Sequence, residues 1–238
     1  MRRAVSAALS VLVLPFTTLP AQADEPQVEP GVVVELFTSQ GCASCPPADD
    51  FLARLAERDG VIALAFHVDY WDYIGWRDRF AKPEFTARQK AYAIAEGRRS
   101  IFTPQMIVGG SEQMGRLRPM EVVDTIQSLS ERPDPVDVRV ERAGPMLEVV
   151  LIAEPPLEHA VDVQLVRYRE EETITIKAGE NAGRTITYRN IVTEWQSLGE
   201  WDGSDRVAFH VRAEGEEPIV IMVQENGPGA ILSAFVTR

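Results

Sequence analysis

Cysteine and histidine are scarce in this chain of 238 residues, which contains two cysteines and three histidines. A closed structural zinc site takes four ligands, most often cysteine and histidine side chains. Cys42 and Cys45 lie close together in the sequence, but His159 and His210 lie far along the chain, in a region that we assign below to a second domain. The sequence therefore argues against a four-ligand zinc site. We expect neither a bound metal nor a cofactor.

Positive charge and long apolar runs are scarce as well. The chain has 24 lysines and arginines against 36 acidic residues, which gives a formal net charge of −12. Proteins bind nucleic acids and anionic membrane surfaces through excess positive charge, so we expect neither partner. A helix needs about 20 consecutive apolar residues to span a bilayer, and no such run follows the N-terminal segment. We therefore expect no membrane span.

The N-terminal segment has the pattern of a secretory signal peptide. Arg2 and Arg3 precede an apolar run, and Ala21-Gln-Ala23 provides a cleavage site of small residues. Removal of residues 1–23 takes the formal charge from −12 to −14, because the segment carries two arginines and no acid. We expect an exported protein, either periplasmic or secreted. Two cysteines in such an oxidising compartment normally form a disulfide.

Both cysteines lie where a predicted strand, Val32–Phe37, gives way to a predicted helix. After Cys42-x-x-Cys45, apolar residues recur at helical spacing while Asp49 falls on the other, polar face. The apolar positions are Ala48, Phe51, Leu52 and Leu55. A helix N-terminus stabilises a nearby thiolate. We interpret the unit as a dithiol switch in which Cys42, exposed at the helix start, is the attacking thiolate and Cys45 is the resolving thiol.

The remaining chain divides into two predicted domains. Residues 31–130 alternate strands with helices and include a continuous apolar strand, Val61–Phe66. Glu131-Arg-Pro-Asp-Pro135 is the predicted linker. Residues 136–238 contain short runs of period-two pattern without a long helix between them, which is typical of an antiparallel sandwich. These runs include Val161–Arg167, Thr173–Lys177 and Thr185–Tyr188. The predicted fold class is an α/β N-terminal domain followed by an antiparallel β-sandwich-like C-terminal domain.

Several short motifs resemble a known family. They are Val34-Glu-Leu-Phe-Thr-Ser-Gln-Gly-Cys42, Phe66-His-Val-Asp-Tyr-Trp-Asp72, Phe102-Thr-Pro-Gln105, and Asn190-Ile-Val with Leu198-Gly-x-Trp201. They resemble the secreted thioredoxin-like family that is catalogued as domain of unknown function 1223, over roughly the whole mature chain. The resemblance implies a thioredoxin-like fold for the N-terminal domain. It implies no particular activity, because that family is uncharacterised.

The thioredoxin-like resemblance also implies a place for the substrate. In that superfamily the proline equivalent to Pro104 is cis and lies against the disulfide. The residue before it, Thr103 in this chain, offers backbone groups to the substrate strand. Asp69 and Trp71 are candidates to border a substrate groove, and the alternative for Trp71 is packing against the sheet.

Glu35 has two candidate roles. It lies in the first apolar strand, and the resemblance implies that a buried acid behind the cysteines accepts a proton. A buried, unpaired carboxylate costs several kcal/mol, so Glu35 needs a partner if it is ionised. The alternative role is a structural ion pair with Arg88 or Lys90.

Three functions are consistent with these residues. The first hypothesis is an exported thiol-disulfide oxidoreductase that acts on a protein thiol or disulfide partner. The second is a non-catalytic partner-binding module in which the disulfide staples the helix. The third is a copper(I) carrier with a thioredoxin-like fold, in which Cys42, Cys45 and His67 supply the ligands. The loop between the cysteines is too short for its closure to add much stability, which favours the first hypothesis.

Overall fold

The computed structural model describes residues 28–115, 117–215 and 217–237. The predicted signal peptide, residues 1–23, lies outside these ranges. The strands are β1 (Val28–Pro30), β2 (Val32–Thr38), β3 (Val61–His67), β4 (Gln105–Val108), β5 (Glu112–Met114), β6 (Val136–Ala143), β7 (Met146–Ala153), β8 (Val161–Thr175), β9 (Thr185–Trp201), β10 (Val207–Arg212), β11 (Ile219–Glu225) and β12 (Ile231–Thr237). The helices are α1 (Pro46–Leu55), α2 (Pro83–Ala95) and α3 (Pro119–Ser130), with a short 3-10 helix at Asp72–Ile74.

The predicted fold class is wrong. We expected a thioredoxin-like α/β N-terminal domain followed by a separate antiparallel β-sandwich-like domain. Instead, strands from both halves of the chain form one mixed nine-stranded sheet in the order β1-β12-β11-β8-β9-β3-β2-β4-β5. The halves join where β9 runs parallel to β3, at the pair Ala65 and Ile191. The described chain is therefore mainly β, and its largest sheet belongs to neither half alone.

A second, smaller sheet covers part of the large one. It has three antiparallel strands in the order β10-β7-β6. Val149 and Leu151 of β7 share one buried cluster with Val163 of β8 and Ile221 of β11. The C-terminal half of the chain thus closes its core against strands of the shared sheet.

The local elements around the cysteines form as their sequence predicts. β2 and β3 pair in parallel from Val32 and Val61 to Thr38 and His67, and α1 connects them along the chain. Both strands are buried almost throughout, as expected for continuous apolar runs that are covered on two faces. Parallel strands end at the same edge of a sheet, so the loops that follow β2 and β3 meet there.

Helices cover both faces of these central strands. Alternate residues of β2 point to opposite faces, as they do in any strand. On one face, Leu36 packs with Leu52 of α1 and Ile126 of α3. On the other face, Phe37 packs with Tyr92 of α2, the ring centroids being 6.3 Å apart. This two-sided burial fixes the end of β2 and thereby the start of α1.

Two further expectations concern the division of the chain into domains and the absence of a membrane span. The predicted linker at residues 131–135 falls between α3 and β6. Division of the chain into domains 31–130 and 136–238 stays a prediction. In the part of the chain that the structure describes, no helix is long and apolar enough to cross a bilayer.

Candidate functional site

Cys42 and Cys45 form a disulfide in the turn between β2 and α1. Their Cα atoms lie 5.4 Å apart. The Cys45 N–H donates to the Cys42 carbonyl at 3.2 Å, and the Ala48 N–H donates to the Cys45 carbonyl at 2.8 Å. The turn therefore runs directly into the first hydrogen bonds of α1. The predicted pairing of the two cysteines is confirmed.

Both cysteines are buried, although we expected Cys42 to be exposed. Cys42 is 1% exposed and Cys45 is 0% exposed, whereas Ala43 and Ser44 between them face solvent. The Ser44 hydroxyl oxygen lies 3.4 Å from the Cys42 sulfur. Ser44 is therefore the polar side chain that contacts the predicted attacking sulfur.

The start of α1 offers few free backbone donors. Its first two residues are Pro46 and Pro47, and proline has no backbone N–H. The N–H groups of the next two residues, Ala48 and Asp49, both donate to the Cys45 carbonyl. None of the four residues that open α1 thus has an uncommitted N–H group for a thiolate. The helix dipole still acts on Cys42. Without free N–H donors, however, α1 stabilises a Cys42 thiolate less than the position of Cys42 at the helix start predicts.

Three buried ionisable side chains and one buried hydroxyl group form a cluster at the ends of β2 and β3 and the start of α1, which we call the acid cluster: Asp49, His67, Asp78 and Thr38. The Thr38 hydroxyl donates to Asp49 Oδ1 at 2.7 Å. His67 Nδ1 lies 2.7 Å from Asp78 Oδ2. Among the described residues, Asp49 Oδ2 and His67 Nε2 find no hydrogen-bond partner. The cluster is therefore only partly satisfied, and Asp49 lies one helical turn from Cys45.

The acid cluster has perturbed pKa values. Burial raises the pKa of Asp49 to about 7, although His67 and the Thr38 hydroxyl offset part of that rise. Burial lowers the pKa of His67, but the Asp78 carboxylate more than compensates, so the pKa lies above its usual value. Burial raises the pKa of Asp78, but His67 and two backbone N–H groups bring it below its usual value. The Asp78 carboxylate thus favours the protonated form of His67, and the carboxyl group of Asp49 titrates near neutral pH.

His67 is held by Asp78 and by aromatic rings. The His67 ring packs edge-on against Phe80 and Tyr188, with centroids 5.1 and 5.0 Å away. Within residues 28–115, 117–215 and 217–237, no three histidine, cysteine or acidic side chains form a group that can hold a metal ion. The copper(I) hypothesis gains no support from the geometry.

The loop after β3 holds the cysteine loop from one side. Asp78 Oδ2, besides binding His67, accepts a hydrogen bond from the Gln40 N–H at 2.8 Å. Trp76 Nε1 donates to Gln40 Oε1 at 2.8 Å. A Cβ atom at Gly41 would lie 3.1 Å from Trp71 Cβ, so a larger residue here would require Trp71 to shift by a few tenths of an ångström. The segment that precedes Cys42 is therefore fixed by residues from the neighbouring loop.

The β8–β9 hairpin holds the cysteine loop from another side. We call residues 177–183 the hairpin tip. Asn181 is 1% exposed, and its Nδ2 donates to the carbonyls of Gln40 at 3.0 Å and Cys42 at 2.9 Å. The Ala43 N–H donates to Glu180 Oε2 at 3.4 Å. The hairpin tip thus occupies backbone groups on both sides of the Cys42 sulfur.

The residues predicted to receive a substrate lie partly together. Trp71 Nε1 donates to the Thr103 hydroxyl at 2.7 Å, and Trp71 also contacts Gly41. The Thr103–Pro104 peptide bond is cis, as the resemblance implied, and Pro104 lines a small crevice with Ala48 of α1. Trp71 therefore links Thr103 to the cysteine loop. The substrate-binding role of these residues stays a prediction.

Two other predicted site residues have structural partners. Asp69 Oδ1 accepts a hydrogen bond from the Thr86 hydroxyl at 2.6 Å, which ties the loop after β3 to α2. Glu35 Oε1 accepts from Arg88 Nε at 2.6 Å, and Glu35 Oε2 accepts from the Tyr92 hydroxyl at 2.5 Å. The predicted ion pair with Arg88 is confirmed. The proton-relay role of Glu35 and the groove role of Asp69 stay predictions.

Sequence reasoning missed Asn181, Glu180 and Asp78 and placed Asp49 on the wrong face of α1. Asn181 and Glu180 reach the site from a hairpin far along the chain, and their local pattern indicates only a turn. Asp49 is buried because β9 packs against the second side of α1. Its one available signal was its position four residues after Cys45, which is one helical turn.

A family model described as "Protein of unknown function (DUF1223)" matches residues 33–224. The chain belongs to this family. The similar solved structures include a crystal structure of an Agrobacterium tumefaciens protein, which is 32% identical, with a TM-score of 0.74 over 87% of this chain and 93% of that one. HBP35 of Porphyromonas gingivalis is 16% identical, with a TM-score of 0.61 over 87% of this chain and 74% of that one, which shows similarity of fold alone. No curated protein sequence matches.

Proposed function

We propose that this DUF1223 protein is an exported thiol-disulfide oxidoreductase in which Cys42 and Cys45 cycle between disulfide and dithiol. The observation that supports the proposal best is the buried carboxyl group of Asp49, one helical turn from Cys45, with a pKa of about 7. A buried carboxyl group with one unpartnered oxygen is costly to keep, and strongly perturbed acids are concentrated at functional sites. A disulfide that merely staples a helix has no need of a proton acceptor beside it.

The proposed reaction consists of two exchange steps. The Cys42 thiolate attacks one sulfur of a partner disulfide, and the other partner sulfur leaves as a thiolate that takes a proton from solvent. Cys45 then gives its proton to Asp49, and its thiolate attacks the Cys42 sulfur. The second partner thiolate leaves, and the Cys42–Cys45 disulfide forms. Two electrons pass from the protein dithiol to the partner disulfide, and the same steps in reverse oxidise a partner dithiol.

Other residues have supporting roles in this proposal. The Ser44 hydroxyl can donate to the Cys42 thiolate, which compensates in part for the N–H groups that Pro46 and Pro47 lack. Thr103 and Pro104 position the partner chain, and Trp71 holds Thr103 beside the cysteine loop. Export to the periplasm or beyond, which the N-terminal pattern supports, gives the protein a supply of disulfide partners.

Turnover of a protein disulfide tests the proposal. The chain without residues 1–23 should reduce insulin with dithiothreitol as donor faster than dithiothreitol alone. Cys42→Ser and Cys45→Ser should each abolish this acceleration, whereas Lys177→Ala, at an exposed position, should retain it. Absence of acceleration, together with a Cys42–Cys45 potential below about −300 mV, would refute the proposal, because structural disulfides typically have such potentials.

A non-catalytic partner-binding module is the second candidate. The burial of both cysteines favours it, because an inert disulfide is normally shielded from exchange. In that case the disulfide serves only to hold the start of α1, and the surface formed by the cysteine loop and the hairpin tip binds the partner. Partner binding that survives in a Cys42→Ser, Cys45→Ser double variant would then be expected.

A further inference from the structure

The strands of the β8–β9 hairpin are longer than β3, the neighbouring strand of the large sheet. β8 and β9 have 15 and 17 residues, whereas β3 has 7. β9 leaves β3 at Asn190, which has a φ of 49° and whose Nδ2 donates to the Ala63 carbonyl at 2.9 Å. The β8–β9 pairing also shifts register nearby, between Arg167 and Tyr168, which pair with Glu194 and Val192. Beyond this point the hairpin reaches over the edge of the sheet to the disulfide.

The extended part of the hairpin is attached in two different ways. Its shaft is anchored by apolar packing, since Ile174, Ile176, Ile186 and Tyr188 form a buried cluster with Phe80. The hairpin tip is attached to the cysteine loop through the polar contacts of Asn181 and Glu180. Gly179 and Gly183, both with positive φ, flank these two residues. The tip thus meets the cysteine loop through polar contacts, whereas the shaft is held by apolar packing.

We propose that the hairpin tip is a cap that keeps the Cys42–Cys45 disulfide closed to exchange, and that a partner polypeptide gains access by displacing it. Asn181 occupies the carbonyls of Gln40 and Cys42, and Glu180 occupies the Ala43 N–H. These are two acceptors and one donor beside the sulfur, which is the set that an extended polypeptide can bind with its own backbone. The cap and the partner chain therefore compete for the same groups.

The cap can be tested without any partner protein. The role of the partner rests on the proposed function, but the shielding of the disulfide does not. A dithiothreitol thiolate attacks the Cys42 sulfur, and Cys45 leaves as a thiolate that takes a proton. The second dithiothreitol thiolate then displaces Cys42 and closes the cyclic disulfide. Cys42 is 1% exposed, and under the proposal the first attack requires the cap to open, so the rate then reports how often it opens.

The experiment compares reduction rates of the oxidised chain in excess dithiothreitol under native conditions. Asn181→Ala removes the two hydrogen bonds to the cysteine loop, and a third in which Asn181 Oδ1 accepts from Arg184 Nη1 at 2.9 Å within the hairpin. The substitution should raise the rate about tenfold or more. Glu180→Ala, which removes one long contact, should have a smaller effect. The matched control is Lys177→Ala in the same tip, an exposed position that should leave the rate unchanged. Equal rates in Asn181→Ala and the native chain would overturn the proposal.

A size-matched variant separates cap opening from damage to the fold. Asn181→Asp keeps the shape of the side chain and the acceptor for Arg184 Nη1, but it directs one carboxylate oxygen at the carbonyls of Gln40 and Cys42. It should therefore be reduced at least as fast as Asn181→Ala. The lost contacts also lower the stability of the closed chain, so the urea midpoint should fall slightly in both variants.

Arg88→Met lowers stability at a residue whose partners include Glu35, Gln164 and Gln224, none of them in the tip, and should leave the reduction rate unchanged. Equal acceleration in Arg88→Met would refute the cap.

The cap and the proposed enzyme can fail separately. Faster reduction of Asn181→Ala supports the cap even where the native chain shows no insulin turnover and the low disulfide potential given above, the two results that together refute the oxidoreductase. Insulin turnover by the native chain with equal dithiothreitol rates for the native chain and Asn181→Ala refutes the cap and supports the oxidoreductase.

Discussion

Asp49 is the side chain that relates the disulfide most directly to proton transfer. Its N–H donates to the Cys45 carbonyl at 3.1 Å, and its carboxyl group is buried against Thr38. Helical periodicity placed it on the polar face of α1, and that reasoning assumed that α1 has only one buried face. The assumption failed because β9, from the other half of the sequence, covers a second face.

Asp49→Asn should change how stability depends on pH. The pKa of about 7 in the folded chain lies above the ordinary value of 3.8, so between pH 4 and 7 the folded chain keeps a proton that the unfolded chain has lost. Stability should therefore fall as the pH rises through this window, by roughly 4 kcal/mol, and level off above it. Asparagine does not ionise, so Asp49→Asn avoids this loss and should be more stable than the native chain by roughly 2 to 4 kcal/mol at pH 8.

Urea unfolding of the oxidised proteins at pH 4 and pH 8 measures this difference. Asp50→Asn, at the exposed neighbouring position, serves as the control and should retain the native pH dependence. An identical pH dependence in Asp49→Asn and the native chain would contradict a raised pKa at Asp49.

At the scale of elements, the sequence predicts the position and the apolar face of α1. It predicts only in part how the start of α1 acts on a thiolate. The apolar spacing of Ala48, Phe51, Leu52 and Leu55 is local, and those residues are buried as expected. Proline is tolerated in the first turn of a helix, so Pro46 and Pro47 both fit there. Together they remove two donors from the place where a redox-active thiolate needs them.

Pro47→Ala should make Cys42 more reactive. Pro47 is exposed, and alanine in its place restores one backbone N–H at the start of α1 without changing the core. In the reduced protein the pKa of Cys42 should fall, and its alkylation by iodoacetamide at pH 7 should become about two- to fivefold faster. An unchanged alkylation rate would show that the N–H groups of α1 do not act on Cys42.

The β8–β9 hairpin is the element that local reasoning described least well. The runs Val161–Arg167 and Thr173–Lys177 were predicted as separate strands, but β8 continues from Val161 to Thr175. Charged residues between the two runs interrupt the apolar alternation because that stretch lies at the exposed edge of the hairpin. Only the tertiary structure brings its tip to the cysteines.

At the scale of the whole molecule, one buried cation joins parts of the chain that are distant in sequence. Arg88 of α2 binds Glu35 of β2, and its Nη1 donates to Gln164 of β8 at 3.1 Å. Its Nη2 donates to Gln224 of β11 at 3.1 Å. The sequence suggested the pair with Glu35, but it could not indicate the two glutamines. These contacts, with the pairing of β3 and β9, connect the two predicted halves of the chain.

Arg88→Met should destabilise the whole molecule. It leaves the Glu35 carboxylate buried without its cation, and loss of one partner from a buried ion pair costs about 3 to 5 kcal/mol. Adding Glu35→Gln removes the stranded charge and should restore part of the loss. Arg88→Lys should not rescue stability, because a lysine cannot reach several acceptors with a planar fork. Urea unfolding measures all three, and a loss below about 1 kcal/mol in Arg88→Met would contradict a structural role for this network.

Capture of a mixed disulfide tests most directly whether Cys42 is a nucleophile in disulfide exchange, on which the proposed function depends. Cys45→Ser should form a covalent adduct between Cys42 and an insulin chain, which mass spectrometry can locate and dithiothreitol can release. Adduct formation should be faster when Asn181→Ala is added, because the cap is then open more often. We expect this adduct in Cys45→Ser and its absence in Cys42→Ser. Failure of Cys45→Ser to form any adduct, even with Asn181→Ala, would contradict the nucleophilic role of Cys42.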